Sequence, residues 1–316
     1  FQGGRVEPRG MAGERTAAEV FRLLSDETRL DVLRTVAIAQ HEQRRTGVAA
    51  LSFSEIYERV DVSDTSKLSY HLGELTGTFL RKQDGDYAFT HAGEQLVRFV
   101  LAENYRRPEG IGSIETEGGC LFCGGTELRA ALEDQYFLLY CTDCDRPAYA
   151  YRVRPTQART HEGEALIESV IREQAGDLLK ARSGVCPDCT GRLDTEVVAA
   201  EDVPASAPDS VSFATVAECR DCLRLLSLPL PVAAAFHPAS IAFHWERGLD
   251  VLHTGVWVFN RYLYEGDWTD EQEADDPPEY RVELRSDGAT LRLFVDGSGA
   301  VTRTERVRRR DHGDSG

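Results

Sequence analysis

Lysine, methionine and long hydrophobic runs are scarce in this sequence. Only three of its 36 basic residues are lysines, and Met11 is the only methionine. No stretch is long and apolar enough to cross a bilayer, and no secretory leader follows Met11. These absences argue against an integral membrane protein. They predict a soluble, cytoplasmic protein that has no membrane partner.

Phe1-Gln2-Gly3 resembles the end of a tag-removal protease site. We therefore interpret residues 1–10 as a tag remnant and expect the native chain to start at Met11. The remaining length is enough for two or three domains and a sizeable core.

Cysteine is absent from the first 119 residues, and all eight cysteines that follow fall into CxxC pairs. The pairs are Cys120/Cys123, Cys141/Cys144, Cys186/Cys189 and Cys219/Cys222. Two pairs that enclose a strand-rich segment are typical of a zinc ribbon, where each CxxC places two thiolates at adjacent corners of a tetrahedron. The intervals hold 17 and 29 residues, and each contains a strand running into its second pair. The two sets therefore resemble a diverged repeat that holds two structural Zn²⁺ ions.

Other interpretations of these cysteines are weaker. Disulfides are uncommon in a cytoplasmic chain, and a thioredoxin-like role would explain one CxxC rather than four. Four thiolates could also hold an iron–sulfur cluster, although ribbon-like strands favour zinc. Because four thiolates fill the coordination sphere of zinc, no open position is left for catalysis at the metal.

The stretch from Ser52 to Thr90 predicts two helices joined by a tight turn and followed by a hairpin. Ser54 is a candidate cap for the first helix, and Ser63 is a candidate cap for the second. The second helix repeats its apolar residues at intervals of three and four, at Leu68, Leu72 and Leu75. The tip Gln83-Asp84-Gly85 predicts the hairpin, which completes a winged helix-turn-helix.

The outward face of the second helix carries side chains that suit contact with phosphates and base edges. They are Thr65, Ser66, Lys67, Ser69, Tyr70 and His71. We expect the hairpin residues Arg81 and Lys82, with Gly85 at the tip, to lie along the flanking backbone or minor groove of double-stranded DNA.

Two segments carry a family resemblance. Ser25–Arg34 reads SDETRLDVLR and resembles the entry helix of ArsR-type regulators, and Ser69–Leu75 reads SYHLGEL and resembles their recognition helix. The resemblance covers about the first third of the chain and implies a dimeric, DNA-binding transcription regulator whose first and last helices pair across the dimer axis. Founding members sense metal through a cysteine pair in an early helix, and that pair is absent here. Winged helices also serve as protein–protein modules, so the fold alone leaves both uses open.

Three further helices are predicted around this motif. They are Thr16–Leu24 with Ala17, Val20, Phe21 and Leu24 inward, Glu27–Gln40 capped by Asp26, and His91–Tyr105 capped by Thr90. Arg106–Gly119 is rich in glycine and is the best linker candidate.

Charge is unevenly spread along the chain, which carries a net charge of −17. High acid content with few lysines resembles the proteins of extreme halophiles, halophilic archaea above all. Residues 11–107 hold 13 Lys/Arg and 15 Asp/Glu, whereas residues 108–316 hold 21 and 37. In concentrated salt counterion release contributes little, so a DNA-binding protein need not be strongly basic. The small excess of acidic residues in the first third agrees with DNA contact there, although such charge differences usually reflect solvation.

The region after Leu228 predicts a small α+β domain. Pro238 suits the first turn of a helix that reaches Arg247, and Gly248 suits its end. Three strands are predicted after it, at Tyr280–Arg285, Ala289–Val295 and Gly299–Val307. The Arg-rich segment Arg303–Arg310 could touch DNA phosphates, but a frayed terminus is the commoner case.

Aromatic residues cluster before these strands, and three histidines lie nearby. The aromatics are Trp245, Trp257, Phe259, Tyr262 and Tyr264, and the histidines are His237, His244 and His253. Such aromatics could line an effector pocket but more often form core. The histidines lack the spacing of a nucleophile and its base, so we interpret them as structural or hydrogen-bonding residues.

The predicted fold class is α+β: an N-terminal winged helix-turn-helix, two zinc-ribbon-like β modules and a small C-terminal α+β domain. The predicted segments are 11–107 for the winged helix, 116–150 for the first ribbon, 161–182 for a connecting helix, 183–227 for the second ribbon, 228–308 for the C-terminal domain and 309–316 for the tail. The chain resembles haloarchaeal regulators with an ArsR-type winged helix ahead of a cysteine-paired half.

The leading hypothesis is a homodimeric, sequence-specific transcription regulator in the nucleoid-associated cytoplasm. A small-molecule effector is compatible with it but unidentified, and the cysteines could add redox sensing. The alternative is a zinc-ribbon adaptor of transcription or repair machinery that lacks sequence-specific DNA binding. An enzyme is not expected, because the sequence shows no triad spacing and no phosphate-cradling glycine loop.

Overall fold

The computed structural model of the chain describes residues 15–43, 50–107, 112–203 and 211–308. The chain divides between Arg106 and Arg107 into two compact units. The predicted tag remnant (1–10), the predicted tail (309–316), residues 108–111 of the predicted linker and residues 204–210 of the second ribbon interval lie outside the described residues. The fold is mixed α+β, with several small antiparallel sheets.

Within its described residues, the first unit has five helices and one hairpin. They are α1 (Ala17–Leu23), α2 (Glu27–Gln43), α3 (Phe53–Tyr57), α4 (Thr65–Leu75), β1 (Leu80–Gln83), β2 (Asp86–Phe89) and α5 (His91–Leu101). Strands β1 and β2 pair antiparallel, with Leu80 opposite Phe89. The core draws on every helix and on the hairpin, and its most buried members include Val32, Val36, Ile56, Leu68, Leu72, Leu75 and Leu80.

Side-chain caps define where these helices start. Thr90 caps α5 as the sequence predicted, and Thr16, predicted as the first residue of its helix, is the cap of α1. The predictions for α3 and α4 were wrong by a residue or two. Ser52 rather than Ser54 caps α3, because Glu55 completes a capping box with Ser52. Asp64 rather than Ser63 caps α4, and its Oδ1 accepts the Lys67 backbone N–H at 2.9 Å.

The first helix buries a different residue from those predicted. Leu23 is buried, whereas Phe21 is 71% exposed and Ala17 is also exposed. A helix of seven residues makes barely two turns, so its apolar pattern fixes the inward face poorly. Val20 and Leu24 are partly buried against the core as predicted, so the predicted inward set is wrong only for Ala17 and Phe21.

The described residues of the second unit form two short 3-10 helices, at Ala200–Asp202 and Val251–His253, together with eleven strands and five α-helices. They are β3 (Ile114–Glu117), β4 (Glu127–Glu133), β5 (Tyr136–Cys141), β6 (Pro147–Arg152), α6 (Pro155–Thr160), α7 (Glu164–Arg182), β7 (Leu193–Ala199), β8 (Phe213–Cys219), β9 (Leu225–Pro229), α8 (Leu230–Ala235), α9 (Pro238–Trp245), α10 (Val256–Tyr264), β10 (Trp268–Asp275), β11 (Pro278–Ser286), β12 (Ala289–Asp296) and β13 (Val301–Arg308). The strands form three antiparallel meanders, β3-β4-β5-β6, β7-β8-β9 and β10-β11-β12-β13.

The C-terminal part of the chain packs into both cysteine-bearing sheets. Trp257 of α10 is almost fully buried, with its ring 5.2 Å from that of Tyr149 and 5.8 Å from that of Phe137. Phe213 of β8 lies against Tyr280 of β11, with ring centroids 4.7 Å apart. The C-terminal residues thus complete the hydrophobic cores of both cysteine-bearing sheets.

Asp270 of β10 joins the second and third sheets through its carboxylate. It accepts the backbone N–H of Ser212 at 2.6 Å and that of Phe213 at 3.3 Å. Burial raises the pKa of Asp270 to about 6, although the two N–H groups act in the opposite direction.

The C-terminal region has more elements than predicted. Helices α8 and α10 and strand β10 were missed, while α9 begins at Pro238 as expected. The basic segment does not fray at Arg303 and Arg306, because β13 continues to Arg308. Arg303 lies over the Phe294 ring, and Arg306 pairs with Glu246 at 2.9 Å. Arg309 and Arg310 lie outside the described residues.

Within the described ranges, no helix is long and apolar enough to span a membrane.

Candidate functional site

The eight cysteines form two clusters. Cys120, Cys123, Cys141 and Cys144 make the first, and Cys186, Cys189, Cys219 and Cys222 make the second; within each, the Sγ atoms all lie within 4.8 Å of one another. In the first cluster, Cys120 and Cys123 come from the β3–β4 connection, and Cys141 and Cys144 come from the end of β5 and the turn after it. In the second cluster, Cys186 and Cys189 come from the α7–β7 connection, and Cys219 and Cys222 come from the end of β8 and the turn after it. The four CxxC motifs therefore group as predicted: the first two form one cluster, and the last two form the other.

All four CxxC motifs have the same backbone geometry. In each, the residue after the second cysteine has a positive φ and donates its N–H to the carbonyl of the first cysteine. These residues are Gly124, Asp145, Thr190 and Leu223, with N–H···O distances of 3.0, 3.0, 3.0 and 2.8 Å. Only one of them is the glycine that this conformation favours. The knuckle geometry therefore holds three ordinary residues in a conformation they rarely adopt.

The spacing of the sulfur atoms fits a tetrahedral metal. The Sγ atoms of Cys120 and Cys144 are 3.7 Å apart, and those of Cys123 and Cys141 are 3.5 Å apart. In the second cluster the matching separations are 3.6 and 3.5 Å. A metal with bonds of about 2.3 Å to four thiolates would place the sulfur atoms about 3.8 Å apart. All eight cysteines are free of disulfides, so both clusters could hold a metal ion.

Glycine and aspartate repeat at equivalent places in the two clusters. A Cβ on Gly125 would lie 2.3 Å from the Asp143 carboxylate and 3.1 Å from the Cys141 sulfur. A Cβ on Gly191 would lie 2.5 Å from the Asp221 carboxylate and 3.1 Å from the Cys189 sulfur. The Gly191 N–H also donates to Cys189 Sγ at 3.3 Å. This equivalence supports the diverged repeat inferred from the spacing, and it explains why glycine is needed beside the sulfurs.

The clusters are open to solvent on one side. The first cysteine of each CxxC is buried, whereas Cys123, Cys189 and Cys222 are exposed and Cys144 is intermediate. Four sulfur ligands leave a metal without a free position, so the arrangement suits structure rather than hydrolysis. Within the described residues, these are the two groups of His, Cys, Asp and Glu that could hold a metal ion.

Helix α4 presents a polar face of the kind predicted. Thr65, Ser66, Lys67 and Ser69 are exposed, and Tyr70 is 59% exposed. On the opposite face, Leu68, Leu72 and Leu75 are fully buried. The amphipathic pattern read from the sequence therefore places its polar residues at the surface of the first unit.

His71 lies differently from the other predicted contacts. Its side chain is 12% exposed, and its Nδ1 lies 3.8 Å from the Asp26 carboxylate that starts α2. Tyr70 packs against Arg29 of α2, whose guanidinium carbon is 5.7 Å from the centre of the tyrosine ring. Arg29 is also 3.7 Å from Glu74. The side chains of His71 and Tyr70 thus help to attach α4 to α2.

The hairpin places its two basic residues on one exposed strand. Arg81 donates its Nε–H to the Phe89 carbonyl at 3.2 Å, and the Lys82 ammonium lies 5.1 Å from the centre of the Tyr87 ring. Gly85 at the tip is exposed and has φ +97°, which favours glycine. The tip conformation therefore depends on this residue.

The C-terminal histidines have structural roles. The His237 Nδ1 accepts the Ala239 N–H at 3.2 Å and caps α9. Burial, with a smaller contribution from the charge of Arg182, lowers the pKa of His237. His244 is fully buried, and burial lowers its pKa as well. His253 pairs with Asp250 at 2.7 Å. Of the predicted aromatic cluster, Trp257 and Phe259 are core residues rather than a pocket lining.

The comparisons with known proteins add a family but no activity. The model described as domain of unknown function DUF7351 matches residues 117–301, which is more than half of the chain. The chain belongs to the DUF7351 family. A second model, domain of unknown function DUF7347, matches residues 17–100. No curated protein and no solved structure matches the chain.

The two matches divide the chain in the same way as its contacts do. The DUF7351 match lies within the second unit and contains all eight cysteines. The DUF7347 match lies within the first unit and contains α1 to α4, the hairpin and most of α5. The two CxxC clusters are therefore features of the DUF7351 region, and the α4 surface belongs to the DUF7347 region.

Proposed function

We propose that this protein is a sequence-specific DNA-binding transcription regulator that acts as a dimer and carries two structural zinc ions in its second half. The α4 surface is the observation that carries the proposal. Its leucines are buried, while Lys67, Ser69 and Tyr70 remain free of the hydrophobic core. A helix held in this way can enter a major groove without unfolding its own domain.

The elements around α4 support a winged helix-turn-helix. Helix α3 precedes α4, and a hairpin with Arg81 and Lys82 on its exposed strand follows it. In the ArsR-type arrangement that the sequence resembles, the second helix reads base edges and the hairpin follows the backbone. Thr65, Ser66, Lys67, Ser69 and Tyr70 then contact the groove. His71 contributes mainly by orienting α4 through Asp26.

Exposed apolar side chains on the first unit support dimerisation. Phe21 of α1 and Phe99 and Leu101 of α5 are exposed. They lie on the first and last helices, which pair in ArsR-type dimers. Two α4 helices in such a dimer read half-sites about one helical turn apart, so the recognised sequence is an inverted repeat.

Zinc is the metal that best fits the cysteine clusters. Thiolate-only tetrahedral sites on short antiparallel strands are typical of structural zinc. The ions would replace core that small sheets cannot supply, because binding free energy at such a site is folding free energy. Cys120 and its three partners would hold one ion, and Cys186 and its three partners the other.

Selection from a random-sequence DNA duplex library tests the regulator proposal. The full-length, metal-loaded protein should enrich an inverted repeat with half-sites about 10 base pairs apart. Lys67→Ala combined with Ser69→Ala should lose the enrichment while thermal stability and metal content stay at wild-type values. Arg34→Ala, which removes one cation from the exposed side of α2, is the matched control and should enrich the same sequence. Failure of the wild-type protein to enrich any sequence would reject the proposal.

A protein-interaction adaptor is the second candidate, and one observation favours it. Leu223 and Leu225 flank the last knuckle, and their side chains are 73% and 57% exposed. Two exposed leucines beside an exposed metal knuckle suit a protein partner. Protein partners recovered by cross-linking in cells, together with no enriched sequence in the DNA selection, would favour the adaptor.

A further inference from the structure

The second unit contains a cavity of about 700 Å³ that neither cysteine cluster occupies. It lies between one face of the β7-β8-β9 sheet, the end of α7, helix α8 and the β12–β13 turn. Volumes of this order are typical of sites for small organic molecules. The cavity therefore has the size of a ligand site.

The walls of the cavity combine apolar and polar surface, with the apolar part slightly larger. Leu193, Leu226 and Leu228 contribute from the sheet, and Phe236 and Val295 contribute from the opposite side. Thr195 and Thr215 add two hydroxyl groups on the sheet wall. Such a lining suits a ring or a short chain with few polar groups.

The charged residues at the cavity are biased toward positive charge in an acidic protein. Arg182 and Arg192 line it, and Asp194 is its one acidic residue. Asp194 is already engaged, with Arg192 at 3.3 Å and Arg220 at 2.6 Å. Within the described part of the chain no acidic side chain pairs with Arg182, which lies close enough to His237 for its charge to act there. Arg182 is exposed, so its guanidinium can pair with an anion that enters the cavity.

His237 adds a hydrogen-bond donor beside Arg182. Its Nδ1 accepts the Ala239 N–H, so the neutral ring carries its proton on Nε2. Arg182 and His237 both line the cavity, and a guanidinium together with an N–H donor suits a carboxylate.

We infer that this cavity binds a small organic carboxylate, with its apolar body against the β7-β8-β9 sheet and its carboxylate on Arg182 and His237. The ligand would lie against Leu193 and Ala217, which also pack around Cys186 and Cys219 of the second cluster. Binding would therefore stabilise the sheet that carries the second metal site. This inference does not depend on DNA binding.

Calorimetric titration of the full-length, metal-loaded protein with 2-naphthoate tests the site, with neutral 2-naphthamide as the matched probe. We expect saturable binding of one naphthoate per chain and weaker binding of the amide. Arg182→Gln should weaken naphthoate binding about tenfold, the loss of one charge-assisted contact, and leave the amide unchanged. Arg172→Gln removes a cation from the same helix, where it pairs with Glu168 away from the cavity, and should change nothing.

Two cavity-filling variants test the location from opposite walls. Thr195→Phe on β7 and Ala233→Phe on α8 should each abolish binding of both probes while circular dichroism and metal content stay at wild-type values. Two variants are used so that misfolding of one leaves the other decisive. Absence of saturable naphthoate binding to the wild-type protein would overturn the inference. Equal binding of naphthoate and naphthamide, unchanged by Arg182→Gln, would also overturn it. A folded cavity-filling variant that binds naphthoate as well as the wild-type protein does would have the same consequence.

Discussion

Arg152, the last residue of β6, forms an ion pair with Asp188 in the first knuckle of the second cysteine cluster, with Nη1 and Oδ1 2.7 Å apart. The same guanidinium binds Asp177 of α7 through Nη2 at 2.8 Å. Asp177 also accepts the Tyr151 hydroxyl at 2.6 Å. One arginine on the first cysteine-bearing sheet is thereby bonded to a CxxC knuckle of the second. The two cysteine-bearing sheets are thus joined by partly buried polar contacts as well as by residues of a common hydrophobic core.

Replacing Arg152 by glutamine should destabilise the second unit. Asp177 is buried and would lose its charged partner, while Asp188 would lose the bond that positions its knuckle. Breaking a buried ion pair from one side costs about 3–5 kcal/mol, and we expect about 2–4 kcal/mol here because Asp188 is partly exposed. Urea unfolding of the metal-loaded protein, followed by tryptophan fluorescence, measures the change.

Arg172→Gln is the matched control for this prediction. Arg172 pairs with Glu168 one turn away on the exposed side of α7. Such surface pairs contribute about 0.5 kcal/mol or less. Equal losses from Arg152→Gln and Arg172→Gln would show that the Asp177–Arg152–Asp188 contacts add nothing specific to stability.

Single cysteine substitutions should remove the metals one at a time. Elemental analysis of the wild-type protein should find two zinc ions per chain, since each four-sulfur cluster can hold one ion. Cys120→Ser and Cys219→Ser should each leave one ion, because the variants affect different clusters, and the double variant should leave none. Each single variant is the control for the other. A single variant that keeps both ions, or a wild-type protein that holds iron instead, would contradict the assignment.

The last knuckle offers a test of stored backbone strain. Leu223 has φ +60°, a conformation that costs an ordinary residue about 1–2 kcal/mol and costs glycine little. Its side chain is largely exposed, so Leu223→Gly removes little packing. We expect this variant to raise the free energy of unfolding by about 1 kcal/mol, as measured by urea unfolding of the metal-loaded protein.

Leu225→Gly provides the comparison for this strain test. Leu225 is also an exposed leucine, but it lies in the extended strand β9. Leu225 is the first residue of this strand, so glycine there should lower stability by about 0.5 kcal/mol. If both substitutions lower stability alike, the knuckle conformation carries no strain.

The local motifs were the predictable part of this molecule. CxxC places two thiolates close together whatever the surrounding fold, so the ligand sets of both clusters could be read from spacing alone. Leu68, Leu72 and Leu75 fix the buried face of α4 because a three-turn helix shows its periodicity clearly. Even the missed α3 cap had a signal in the sequence, since Glu55 lies three residues after Ser52 and not after Ser54.

The elements that depend on long-range packing were not predictable in this way. Helix α8 has the sequence LPVAAA and is buried on nearly all sides, so it has no amphipathic period. Strand β10 has the sequence WTDEQEAD, whose acidic residues disfavour strands, and it forms because β11 pairs with it at the edge of its sheet. His71 lies toward Asp26 because of how α2 packs on α4, which no local pattern reports.

Two glycines of the first unit should respond to alanine in opposite ways. A Cβ at Gly93 in α5 would lie 2.0 Å from the Phe79 carbonyl oxygen, so the backbone would have to shift. Gly73 in α4 has no atom within 4 Å of the same position. We expect Gly93→Ala to destabilise the first unit by about 2 kcal/mol or more, through overpacking against rigid backbone. Gly73→Ala should stabilise it by about 0.5–1 kcal/mol, through helix propensity. Thermal unfolding of both variants measures the contrast, and shifts of the same sign would contradict the packing at Gly93.

The stability of the second unit should depend on pH through Asp270. Burial raises the pKa of this carboxyl to about 6 in the folded state, whereas an unfolded aspartate titrates near about 3.9. The folded state therefore binds the proton more tightly than the unfolded state does. The resulting stabilisation is fully present below about pH 4 and is lost as the pH rises through about 6.

Asp270→Asn removes this titration and keeps a carbonyl oxygen to accept the Ser212 N–H. We therefore expect the unfolding free energy of the wild-type protein, minus that of Asp270→Asn, to fall by about 3 kcal/mol between about pH 4 and about pH 7. Metal release at low pH acts on both proteins, so it cancels in this difference. Urea unfolding at a series of pH values gives the curve. A difference that stays constant across this range would mean that the carboxylate is stabilised by the Ser212 and Phe213 N–H groups as fully as it is by water.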